Sequence, residues 1–179
     1  MTISAEDAFN APLNLFTGCH VQIRKRMELM RQLPALVSNV DEKDHAARVA
    51  GDIVSFFERV VEPHHAEEER ELWPLLEKCA PGTEAHETVH AIVHRLKLEH
   101  TQLEALWKHI GPSLHRLARG KTVTLDVDAL TKLSNMYDDH AAFEDAVVVP
   151  MARYLLAPAD QYRLAMSLAL SRHPINAYV

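Results

Sequence analysis

The sequence predicts an all-α protein: an up-down-up-down four-helix bundle over residues 12–155, with a short fifth helix and tail over 156–179 packing on it. Three observations carry that expectation. Apolar residues recur at three- and four-residue spacing through four long segments. The chain has only five glycines, and outside "VVV" it has no run of alternating β-branched residues of the kind a half-buried strand needs. Polar stretches, "NVDEKDH", "CAPGT" and "ARGKTVTLD", separate the segments as turns. With 47% apolar residues, a chain of 179 has enough to bury one core.

The first helix is expected from about 12 to 38, with Leu15, Cys19, Ile23, Met27 and Met30 on its inner stripe and Pro12 suited to its first turn. In the second, Val49, Ile53, Phe56, Phe57, Val60 and Val61 form a stripe that runs on to Leu76. Pro63 predicts an interruption or kink there, because it lacks an amide donor and crowds the preceding turn. Thr83 is the expected N-cap of the third helix, whose stripe is Val89, Val93, Leu96, Leu103 and Trp107. Gly111-Pro112 is expected to kink or end it. The fourth helix, from about 126 to 155, carries Leu133, Tyr137, Phe143, Val147 and Met151. Pro74 and Pro150 read as helix punctuation, Trp73 and Trp107 as packing, and the fifth helix, about 158 to 171, as packing rather than chemistry.

Charge and cysteine content narrow the function classes. A net charge of -6 without a basic cluster or aromatic platform excludes nucleic-acid binding, which needs concentrated Lys and Arg. No segment approaches the roughly 20 apolar residues that cross a bilayer. The amino terminus has no basic start followed by an apolar stretch, so a cytoplasmic protein with no membrane partner is expected. Cys19 and Cys79 belong to no paired motif and read as small buried hydrophobes.

The unusual feature is the twelve histidines, some of which fall in a repeat. "EPHHAEEERELWP" (62–74) and "DHAAFEDAVVVP" (139–150) share a histidine followed by glutamate at +4, an acid at +5 and proline at +10. His64, Glu68, Glu69 and Pro74 thus match His140, Glu144, Asp145 and Pro150. A weaker echo links "CHVQI" (19–23) with "EHTQL" (99–103), so each half of the chain offers one histidine from its first helix and a His-x-x-x-Glu pair from its second. Residues level with one another in a helical hairpin are equidistant from its turn. The means of His20 and His64, His64 and His100, and His100 and His140 are 42, 82 and 120, all on expected turns. Using His90 instead of His100 gives 77 and 115, inside helices.

Residues four apart share a helix face, so the bundle aims His20, His64, Glu68, His100, His140 and Glu144 at one place. Left unpaired in an apolar core, such groups cost several kcal/mol, which a cation offsets. Four imidazoles and two carboxylates exceed what one tetrahedral zinc uses and suit two iron ions, with manganese or zinc possible. Two divalent ions against two glutamates leave charge for a bridging oxide or hydroxide and room for a small exogenous ligand.

Other arrangements compete. His65 and Glu69 are also four apart and can replace His64 and Glu68. The match to His140 and Pro150 favours His64, which leaves His65 and Glu69 behind the ligands or on the surface. His86, His90 and His94 form a row off the inner stripe, best read as solvated. A ferritin-like site would use Glu-x-x-His, as in "EPHH" and "ETVH", but the fourth helix has Tyr137 where its glutamate is required. Tyr137 itself reads equally as core or as a hydrogen-bonding neighbour of the metal.

The order His20, "HHAEEERELWP", "EH" at 99–100 and "HAAFEDAVVVP" resembles the hemerythrin-like, HHE cation-binding family over about residues 12–155. The resemblance implies a four-helix bundle around a non-haem di-iron site bridged by two glutamates and an oxygen, with His20, His64, Glu68, His100, His140 and Glu144 as ligands. Oxygen-carrying members use two histidines of the third helix and an aspartate of the fourth. This chain departs from them at the third helix, although Asp145 stands five after His140. The implied functions are binding or sensing of a small diatomic ligand such as dioxygen or nitric oxide, or an enzyme that reduces peroxide or nitric oxide or donates iron for repair of iron centres. A bundle merely held together by zinc is the third reading.

Overall fold

A computed structural model describes residues 12–172, with side chains to 169. Helix α1 is Leu13–Ser38. A 3-10 turn, Val40–Glu42, follows, held by the Asn39 side chain accepting from the Asp41 amide. Helix α2 covers 43–79, α3 is Gly82–Ala118, α4 covers 127–155 and α5 is Pro158–Arg172. No strand occurs among the described residues. Each of α1 to α4 packs along its two neighbours, α1 closing the ring against α4, as the up-down-up-down order requires. The turns fall where the histidine spacing puts them. Gly82 and Gly120, at φ 72° and 71°, supply the left-handed backbone that reverses the chain there.

Several expectations about helix ends are corrected. The N-cap of α3 is Pro81, in extended conformation and without a side-chain cap, rather than Thr83. At the start of α4, Asp126 caps by accepting from the Ala129 amide at 3.0 Å. Gly111-Pro112 does not end α3, which continues six residues beyond Pro112 to Ala118. An interior proline costs about 3 kcal/mol, but Leu114 and Leu117 beyond it are buried. Each contributes roughly 1.5–3 kcal/mol on full burial, so packing outweighs the proline.

Pro63, Pro74 and Pro150 likewise lie inside continuous helices, and the reason is local. Each stands two residues after a π-helical turn: Phe57–Val61, Glu68–Leu72 and Glu144–Val148. A proline ring collides with the carbonyl four residues earlier. Here the preceding residue bonds five back instead: Glu62 to the Phe57 carbonyl, Trp73 to Glu68 and Val149 to Glu144. The widened turn takes up the clash without ending the helix. Two of these turns open on Glu68 and Glu144, the glutamates of the repeat.

The interior has three layers. One apolar block, with Ile23, Met27, Ile53, Leu114 and Leu133, fills the end bearing the α1–α2 and α3–α4 turns. The other, with Phe16, Trp73, Leu76, Leu96 and Ala152, fills the opposite end, and Leu164 and Leu168 of α5 pack into it. Between the blocks lies a buried layer of histidine and glutamate. The tail beyond 172 lies outside the described residues. No helix among the described residues is long and apolar enough to cross a membrane.

Candidate metal centre

All six residues singled out by the repeat meet in that middle layer, each at most 3% exposed. His20 comes from α1, His64 and Glu68 from α2, His100 from α3, and His140 and Glu144 from α4. His20 Nε2 lies 3.0 Å from Glu144 Oε2 and 3.9 Å from Glu68 Oε1. His64 Nε2 lies 3.2 Å from Glu68 Oε1, and His100 Nε2 is 3.5 Å from Glu68 Oε2. His140 Nε2 is 3.4 Å from Glu144 Oε2 and 3.2 Å from His100 Nε2. Four Nε2 atoms and two carboxylates therefore converge on one small volume.

The outer nitrogens are held from behind. The Nδ1 atoms of His20, His100 and His140 meet carboxylate oxygens of Asp145, Glu69 and Glu99 at 2.7, 2.9 and 2.8 Å. With an acceptor on each Nδ1, that nitrogen carries the proton and Nε2 turns its lone pair inward, as a metal-ligating imidazole requires. Arg24 in turn braces Asp145 at 2.7 Å. Asp145 therefore faces His20 and Arg24 rather than the middle of the cluster.

The inner atoms lack adequate hydrogen bonds. His20 Nε2, both nitrogens of His64, Glu68 Oε2 and both oxygens of Glu144 are buried without a partner. The 3.0 Å approach of His20 to Glu144 is close but misaligned for a hydrogen bond. Each orphaned polar atom costs about 1–3 kcal/mol, and more where charged. Proton affinities show the same conflict. Burial lowers the pKa of His20, but the Glu144 and Glu68 carboxylates outweigh it and raise the value to about 10. Burial also lowers His140, and Glu144 with Glu99 turns the balance upward. Burial, with the charge of Glu144, raises Glu68 to about 8. His64 and His100 are lowered, by burial first and then by neighbouring imidazoles. A cation among these donors removes the conflict by pairing the carboxylates and filling the imidazole lone pairs together.

The donors fall into overlapping sets whose ligand atoms all lie within 4.8 Å of one another: His20, His64, Glu68 and Glu144; and Glu68, His100, His140 and Glu144. Both glutamates belong to both sets. A third set is His65, His100 and His140. Of the two places expected for His65, behind the ligands or on the surface, the structure excludes the surface: it is buried, stacked on the His100 ring at 3.7 Å. A readable signal existed, because Phe57, Val61 and His65 continue one four-residue stripe. The role of Glu99 behind His140 was also missed, although "EH" at 99–100 marked the place.

The competing sites are placed elsewhere. His86, His90 and His94 are exposed, with His86 and His90 turned to Glu77. Glu62 and Glu87, which a ferritin-like site would need, are also exposed. Tyr137 is buried between Phe57 and His65, and Trp73 packs on His100 at 4.7 Å. Cys19 is buried as expected, whereas Cys79 is only half-buried.

Comparison with known proteins agrees with this geometry. The model of the hemerythrin HHE cation-binding domain matches residues 11–152. A protein of Haemophilus influenzae, described as uncharacterized, is 26% identical over 140 residues, covering 76% of each chain. With most of its length matched and a buried His/Glu cluster able to hold metal, this chain belongs to the hemerythrin HHE cation-binding family.

Proposed function

We propose that the cluster holds two iron ions bridged by Glu68 and Glu144, and that the protein binds or senses dioxygen or a related small molecule, such as nitric oxide or peroxide, at that site. The observation that carries this reading is the pair of donor sets that share both glutamates. A single tetrahedral zinc would use four donors and leave the others orphaned in a dry core. Mixed imidazole and carboxylate ligation suits iron, which supplies accessible redox states and, with six protein donors spread over two ions, open positions for a small ligand.

The chain's own residues prepare the site. Asp145, Glu69 and Glu99 fix three imidazoles in one tautomer and orientation. The apolar blocks above and below exclude water. Between α2 and α3 a cavity of about 620 Å³, lined by Glu58, Lys108 and His115 together with Phe57, Trp107 and Tyr137, brings open space up to His65 at the edge of the cluster. Its lining sets Glu58, Glu62, Glu69 and Glu104 against Lys108, a net negative charge that favours neutral ligands over anions.

The test is anaerobic loading of metal-free protein with ferrous iron, counting iron per chain and following the optical spectrum as air and then vacuum are applied. Two irons, with near-ultraviolet bands that appear in air and fade under vacuum, are expected. Failure to take up iron would refute the reading, and uptake of two irons with irreversible oxidation would refute carriage and sensing of dioxygen.

A further inference from the structure

We infer that His65 is a seventh metal-binding residue, a third imidazole for the metal held by His100 and His140, so that the two metal pockets are unequal. The inference rests on the metal reading above and specifies its donor set. Three independent features carry it. The ligand atoms of His65, His100 and His140 lie within 4.8 Å of one another, in a set that includes neither glutamate. His65 therefore offers that pair a donor in addition to the glutamates. Its Nε2 is buried without a hydrogen-bond partner while its ring stacks on His100 at an interplanar angle of 12°. Finally, the repeat that pairs His64 with His140 pairs His65 with Ala141, so the other half offers no matching imidazole.

Packing alone does not account for this side chain. A residue serving only to fill the space between Tyr137 and His100 would be apolar, because an orphaned nitrogen at 5% exposure costs about 1–3 kcal/mol. Ligation gives that nitrogen a partner. His65 also lines the cavity between α2 and α3, so the space it would leave is reachable from outside by a molecule the size of imidazole.

The experiment titrates metal-free full-length protein with cobalt(II), reading stoichiometry, affinity and the visible ligand-field spectrum, in wild type, His65→Ala and His65→Phe. The phenylalanine variant keeps the stacked ring and removes the nitrogen, so it separates ligation from packing. Wild type is expected to bind two cobalt ions. Both variants should bind one of them about tenfold or more weakly, with an altered spectrum, and leave the other unchanged. Millimolar imidazole should restore the weakened ion in His65→Ala. Wild-type affinity and spectrum in His65→Phe would overturn the inference, and so would loss of both ions from His65→Ala without rescue by imidazole. Wild type binding no cobalt would instead refute the metal reading itself.

Discussion

The α1–α2 half and the α3–α4 half of the bundle support each other crosswise. The lone histidine of each first helix is held by the acid that follows the glutamate of the other half: His20 by Asp145, His100 by Glu69. Where the halves differ, the difference lies behind the second histidine. His140 Nδ1 rests on Glu99, whereas His64 Nδ1 has no partner, and the residue that corresponds to Glu99 in the repeat is Cys19. One half thus holds both imidazoles in a fixed tautomer and the other holds only one. Duplication of the motif duplicates its histidines and glutamates, but the residues behind them differ, so under the proposed reading the two pockets are chemically distinct.

Four sets of substitutions break or sharpen that comparison. Replacing a shared donor has the largest expected effect: Glu68→Ala or Glu144→Ala removes a carboxylate from both sets, and metal analysis should find neither ion tightly held. Loss of only one ion would show that the glutamates are not shared. Next come His64→Ala and His140→Ala, each expected to release the ion of its own pocket, with His90→Ala, at an exposed position, retaining both. Equal loss in His90→Ala would mean that the level-matching of histidines failed. Glu99→Ala leaves every donor in place and removes only the support behind His140, for which about 10–100-fold weaker binding in that pocket is expected by competition with a chelator. The smallest effect belongs to Cys19→Glu, which supplies the missing counterpart of Glu99. It should tighten the His20–His64 pocket several-fold while lowering thermal stability, because a carboxylate enters a buried position. A stability loss without tighter binding would break the equivalence of the two positions.

That the six residues of the central cluster meet was legible in the sequence for a geometric reason. Four-residue spacing fixes a helix face, and short turns fix height, so His20, His64, Glu68, His100, His140 and Glu144 could be levelled without coordinates. The sequence was less informative about azimuth. The π-helical turn Phe57–Val61 adds a residue to a turn of α2, so a constant 3.6-residue period misplaces His64 and His65 relative to the apolar stripe that precedes them. The prolines that accompany the π-helical turns were visible, but they read equally well as stops or kinks. Gly111-Pro112 reads as a kink or an end of the helix because that is the local preference of the pair. The buried Leu114 and Leu117 beyond it reverse that preference, and their burial depends on partners distant in sequence. Glu99 stayed hidden because an exposed-looking acid beside a histidine gains meaning only once another helix brings His140 against it.

The most direct measurement of the central claim, two unlike metal pockets joined by shared glutamates, is Mössbauer spectroscopy of the protein loaded with the Mössbauer-active iron isotope. Two different quadrupole doublets of equal area, from irons that are magnetically coupled, are the expected result. A single doublet, or a spectrum of uncoupled iron at one ion per chain, would contradict it.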